Sequence, residues 1–281
     1  VWITGTSAGV VNIPGSLTVA GSAVGGASAI GGLSDAVTTA TANVGLGDEA
    51  LDAITASQGE ANVGLGVRAG SAITTGDYNT AVGYQSLQLL ETGGTNTGIG
   101  GYAGYKTTAA NGTFVGYSAG RNLTSGHSNT AFGSESMYGG SSATGNYNTA
   151  LGFRTLKTIT TGTRNIAIGH QALDAADTES DNIAIGYDAL GGAVDGGEKN
   201  IAIGNYTLDA LTSSDQTVAI GHEAGSAITT GSWNTAVGDS SMKSVTTNYK
   251  NTSLGFQSMY AHTIHHIPTP PPLIKSWKLS I

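Results

Sequence analysis

Cysteine is absent from the 281 residues, which excludes disulfide and thiolate chemistry and suits an extracellular, virion or cytosolic setting alike. Charge is scarce: 11% of residues are charged, against about 25% in an ordinary globular domain. The net charge of −8 excludes nucleic acid as a main partner, because phosphate binding needs clustered Lys and Arg. No apolar run approaches the roughly 20 residues that span a bilayer as a helix, so membrane insertion is not expected. Aromatics make up only 6% and proline totals five, while 39% of residues are hydrophobic, too many for a disordered polyelectrolyte. What is abundant is glycine, 44 residues, but not at every third place as collagen requires. Such a chain has to pack backbone close to backbone.

The sequence is a repeat. A glycine ends the same short word at Gly47, Gly66, Gly83, Gly100, Gly116, Gly133, Gly152, Gly169, Gly186, Gly204, Gly221, Gly238 and Gly255, a period of 17 residues with slippage of two at most. With that glycine as position 0, position −4 is Asn in eleven of thirteen copies, position −3 is Thr, Val or Ile, and position −2 is small except at Phe114. Position −1 is always apolar, +3 is Ala, Ser or Thr, and +4 is Leu, Met or Gly. The cleanest spellings are Asn165, Ala167, Ile168, Gly169; Asn182, Ala184, Ile185, Gly186; and Asn200, Ala202, Ile203, Gly204.

A β-branched residue, a small one and an apolar one make a short strand. Alternation puts −3 and −1 on one face and −2 on the other. The unbroken apolar column at −1 predicts that its face is the buried one. The small columns at −2 and +3 predict close approach there by another chain. Glycine at 0 permits the positive φ of a tight corner. Asn at −4 predicts a second corner and a stacked amide ladder. The Thr-Thr-Gly pieces at 74–76, 160–162 and 229–231 read as outer turns. Seventeen residues cannot bury a core alone, but stacked coils can. The fold class expected is therefore all-β: a parallel β-roll or β-solenoid of about thirteen 17-residue coils, with several copies side by side.

The segments "NTAVGYQSL" (79–87), "NTALGFRTL" (148–156), "NIAIGHQAL" (165–173) and "NTAVGDSSM" (234–242) resemble the head repeats of YadA-like trimeric autotransporter adhesins. The 17-residue form with its Thr-Thr-Gly joints is similar to repeats in tail-fibre and other virion fibre proteins of bacteriophages. The lead-in "NIPGSLTVAG" (12–21) resembles segments that precede such repeats. The resemblance covers about 43–259 and implies a left-handed roll, three chains to a head. The chain departs from the adhesin pattern in its longer period and in showing neither a coiled-coil stalk nor a membrane anchor. Gly100 to Gly116 is one residue short, with Gly112 in place of Asn and Phe114 in place of Ala, which predicts a local defect or bulge with Asn111 at the corner.

Three regions follow: an N-terminal connector or attachment segment (1–42), the repeat domain (43–260) and a Pro-rich cap or linker (261–281). Starting at Val1 without a signal-peptide pattern, the chain reads as a fragment or a processed form. His262, His265 and His266 come nearest to a metal set, but His-x-x-His-His reads better as exposed or packing histidines, so no metal, cofactor or catalytic residue is assigned. The acidic run Asp174, Asp177, Glu179, Asp181, Asp188, Asp195 and Glu198 matches no calcium loop and reads as a solvated face. The +1 column varies while its neighbours do not. Its Tyr84, Tyr117, Phe153, His170, Tyr187, His222 and Phe256, with Trp233, are the candidates for receptor binding.

The resemblance thus leads to the expectation of a non-enzymatic fibre or spike of a bacteriophage virion, on its tail or surface. It would be a homotrimer joined to other virion or fibre proteins at one or both ends, meeting a host-surface glycan or protein. The alternatives are the head of a bacterial trimeric adhesin at the cell surface and a glycan-degrading tailspike, which would need two carboxylates about 5–9 Å apart.

Overall fold

The structure, a computed structural model, describes residues 42–55 and 58–260, together with the backbone of three short strands at Thr4–Gly5, Val11–Asn12 and Ala36–Thr38. Thirteen three-residue strands, from Val44–Leu46 to Thr252–Leu254, stack in chain order into one parallel sheet. Like pairs with like: Ile166, Ala167 and Ile168 lie beside Ile183, Ala184 and Ile185, which lie beside Ile201, Ala202 and Ile203. The fold is the expected β-solenoid, twelve turns spaced by about 17 residues. At about 4.8 Å per coil the stack is about 58 Å long. Its first edge is closed by Ala36–Thr38, antiparallel to Val44–Leu46 and within the segment expected to be a connector.

The strand faces are the reverse of the expectation. Every strand buries its middle residue and leaves its two flanking residues partly or fully exposed. Ala167, Ala184 and Ala202 point into the solenoid, whereas Leu65, Ile99, Phe132 and Leu151 of the −1 column point out of it. The small −2 and +3 residues do mark close approach, but the approaching groups belong to the same chain. Opposite them stand the +4 column (Leu51, Leu87, Leu156, Leu173, Leu190, Leu208) and apolar residues three places further on, such as Ile73, Ile159, Leu211 and Ile228. A narrow coil has room for two such branched side chains only if the facing strand contributes a methyl or less.

Asn at −4 is not a corner. The left-handed corner lies one residue earlier, as at Arg164 (φ 58°), and the Asn side chains turn inward. Each Oδ1 accepts the backbone N–H of the next coil's −4 residue, 2.9 Å from Asn148 to Asn165 and 3.0 Å from Asn165 to Asn182. Each Nδ2 reaches a carbonyl of the next turn, as Asn182 does to Gly197 at 2.9 Å. The expected amide ladder therefore runs inside the solenoid, where an unpaired amide would be costly.

Two further residues per coil, at +2 and +4, also have positive φ: Gln171 (56°) and Leu173 (53°) in the Gly169 coil. Such backbone costs a non-Gly residue roughly 1 kcal/mol. It turns successive N–H groups toward opposite neighbours: Gln171 donates back to Phe153 and Leu173 donates forward to Ala189. The backbone is thereby bonded on both sides of each coil. At position 0 only glycine fits. Gly169 has φ +131°, and a Cβ there would lie 2.4 Å from the Gly186 carbonyl oxygen.

The Gly116 coil contains no bulge. Gly98, Phe114 and Ala131 are in register, and Asn111 takes the same left-handed corner as its counterparts. The Phe114 ring is fully buried in space left by three glycines. A Cβ at Gly112, Gly104 or Gly120 would come within 2.5, 2.7 and 2.1 Å of it. Thr217, the other exception in the Asn column, bonds Ser214 Oγ at 3.0 Å, and Ser214 reaches the Gly231 carbonyl at 2.7 Å. Two hydroxyls thus take over the amide's donation to the carbonyl of the next turn.

Candidate functional site

A varied surface is the corner after the repeat glycine, where the +1 and +2 side chains of successive coils stand beside one another. Because the coils are in register, residues a whole repeat apart come within contact distance. Five rings on consecutive coils form one ladder: Phe153, His170, Tyr187, Tyr206 and His222, with centroid separations of 5.2, 5.1, 5.2 and 6.2 Å. His170 and Tyr187 are stacked at 8°, while Tyr206 stands across the ladder, at 61° to Tyr187 and 88° to His222.

A second cluster lies toward the N-terminal end. Tyr102 packs edge-on to Tyr84 at 5.3 Å and to Tyr117 at 6.1 Å. The Arg121 guanidinium sits 4.6 Å from the Tyr102 ring centre and donates to the Tyr138 hydroxyl at 3.2 Å. Loss of water and the neighbouring Tyr84 raise the Tyr102 hydroxyl above the usual phenol range.

Of the sequence candidates, Phe153, His170, Tyr187 and His222 are brought together, and Tyr84 and Tyr117 are joined only through Tyr102. Trp233 lies on the −5 corner, its indole N–H donating to Gln216, the preceding residue of that column, and its ring near Tyr249. Phe256 stands apart on the last coil, 72% exposed. Tyr102 and Tyr206, the missing links, occupy +2 rather than +1. Aligning the +2 column as well would have found them, since Tyr102 stands where +1 is Gly101 and Tyr206 where +1 is Asn205. His262, His265 and His266 lie outside the described residues.

Charges on these corners pair between consecutive coils. Arg68 meets Glu49 at 2.6 Å, Arg154 meets Glu135 at 2.8 Å, Arg164 meets Asp181 at 2.6 Å, and Lys243 meets Glu223. In each pair the hydrogen bond to the cation holds the carboxyl below its ordinary range. Asp174 and Asp209 behave oppositely: burial, aided by the Asp188 charge, pushes both above it. The expectation of a solvated acidic face therefore fails at Asp174, and also at Glu179. That carboxylate is buried and accepts from the backbone of Asp177, Thr178 and Gly196 and from the Thr178 hydroxyl, pinning two turns together. Among the described residues no group of three His, Asp or Glu is placed to hold a metal ion, and no helix is long and apolar enough to cross a membrane.

No family model, no curated protein and no solved structure matches this chain.

Proposed function

We infer that the chain is a structural fibre or spike element: a rigid rod that assembles side by side into a homotrimer and offers its corner ridge to a host surface. The observation that carries this is the outward apolar face of the sheet. The −1 column is apolar in all thirteen coils. Between the Gly169 and Gly221 coils the −3 column joins it, so Ile166, Ile168, Ile183, Ile185, Ile201, Ile203, Val218 and Ile220 form a continuous aliphatic strip on the outside of the chain. With the −1 column that continues it along the other coils, the strip covers on the order of 400 Å², within the range of the largest patch a monomer leaves exposed. Packing the ribbons of several copies around one axis removes them from water and leaves the ridge outside.

The resemblance of the repeat favours three copies and a bacteriophage tail fibre or other virion fibre, with further fibre proteins at its ends. The head of a bacterial adhesin would share the same architecture, and immunogold labelling of particles against cell envelopes separates the two. For assembly, sedimentation equilibrium of the intact chain is expected to give a trimer, and the double variant Ile185→Glu/Ile203→Glu a folded monomer. A stable monomer of the parent chain would sink the reading.

A further inference from the structure

We propose that the ladder Phe153–His170–Tyr187–Tyr206–His222 is a binding ridge for a glycan whose sugars carry free ammonium groups, lying along the stack. This rests on the recognition part of the reading above and adds the ligand class. Three observations support it. The first is spacing. The rings recur at 5.1 to 6.2 Å, one per coil. An extended β-1,4-linked sugar chain advances per sugar by nearly the coil distance of about 4.8 Å, so each sugar comes to lie beside a ring, with alternate sugars turned over. An extended peptide presents same-face side chains about every 6.8 Å and falls out of step.

The second is charge. Beside the ladder the +5 column reads Asp174, Gly191, Asp209. A Cβ on Gly191 would lie 2.9 Å from Asp188 Oδ1, so the Asp188 carboxylate leans into the gap the glycine leaves. Among the described residues none of these three carboxylates forms an ion pair, although eight close pairs involve other acids. The nearby cations are engaged: Arg154 and Lys157 both lie on Glu135, and the Arg154 guanidinium also sits over the Phe153 ring at 4.8 Å. Around Tyr187 and Tyr206 a polyanionic glycan would meet like charge, whereas an ammonium group finds carboxylates beside aromatic rings. The third is rigidity. The ridge sits on a backbone bonded to both neighbouring coils, so little ordering accompanies binding.

The test is calorimetric titration of the intact chain with a glucosamine hexamer, its fully N-acetylated counterpart and oligolysine. The glucosamine hexamer is expected to bind, with the acetylated hexamer at least about tenfold weaker. Tyr187→Ala and Asp188→Asn should each weaken it at least about tenfold, and Tyr84→Ala, in the other cluster, less than about twofold. Asn tolerates the left-handed backbone of position 188 (φ 51°), so that variant tests charge and not folding. Absence of binding overturns the proposal, as do equal affinity for the acetylated hexamer, insensitivity to the two ridge variants, and capture of oligolysine in place of the sugar. Sedimentation of the same samples keeps the two readings apart. A trimer that ignores the sugar removes the ridge alone, and a monomer that binds it removes the assembly alone.

Discussion

Residues 112–120, "GTFVGYSAG", and 182–190, "NIAIGYDAL", follow the same path through their coils, strand in register with strand. Their interiors differ. In the Gly186 coil an Ala faces two leucines beneath an amide ladder; in the Gly116 coil a Phe ring fills the places of two leucines and one Asn. The repeat thus preserves backbone path and enclosed volume more strictly than it preserves letters. A large residue on the strand side is accepted where the opposite wall has receded to glycine.

That comparison is broken most severely by Ala184→Phe alone. Leu173 and Leu190 occupy the space that Gly104 and Gly120 leave open around Phe114. The loss should exceed about 4 kcal/mol, read as a collapse of the thermal transition. Adding Leu173→Gly, Leu190→Gly and Asn182→Gly reproduces the Gly116 solution and should recover much of it. If the quadruple variant is no more stable than the single one, volume exchange is not what lets Phe114 fit.

Next in size is Phe114→Ala. The three facing glycines cannot grow into the void, so about 3–5 kcal/mol should be lost in chemical denaturation. A loss below about 1 kcal/mol would mean that the neighbouring coils close the gap. Asn182→Ala, which removes one rung of the ladder, should cost about 1–3 kcal/mol. It strands the N–H of Asn200, bonded to the Asn182 Oδ1 at 2.9 Å, and the carbonyl of Gly197.

How much of this was legible in the sequence follows from the same coils. The period, the strands, the glycine corners and the amide ladder could be read, because each is one residue type at one spacing. The direction of the strand faces could not. In a globular domain an apolar column is normally the buried one, and Ala167 between Ile166 and Ile168 reads that way. Here the solenoid is too thin to hold the larger pair, so the Ala goes in and the Ile residues go out. The bulge expected at Gly112 failed for a related reason: the compensating glycines at 104 and 120 lie in the +4 column, and nothing in a single repeat shows that this column faces position −2. On the ridge, Tyr187 and His170 were visible, but Tyr102 and Tyr206 were hidden by a search of the +1 column alone.

The outward residues should be far less sensitive than the inward ones. Ile185→Ser, one place from Ala184, removes nothing from the interior. On the isolated chain its effect should stay within about 0.5 kcal/mol, while the assembled species loses stability on dilution. A loss as large as that of Ala184→Phe would return the −1 column to the core.

The smallest effect expected is a gain. Asp209 is half-buried, its Oδ1 has no hydrogen-bond partner, and burial with the Asp188 and Glu223 charges raises its pKa. A carboxyl raised in the folded state contributes stability that is complete below its ordinary pKa, about 3.9, and is lost as pH rises through the folded value. At neutral pH it therefore carries a penalty, which Asp209→Asn relieves. The melting temperature should rise by about 1–2 °C at pH 7 and not at all below the ordinary carboxylate range. Asp181 supplies the contrast. Its pKa is lowered by the hydrogen bond to Arg164, so its contribution is present above the ordinary value and fades as pH falls through the folded one. Asp181→Asn should then lower the melting temperature slightly at pH 7, as an exposed ion pair allows. If both variants shift in the same direction at pH 7, burial is not what distinguishes the acids beside the ladder from those on the paired corners.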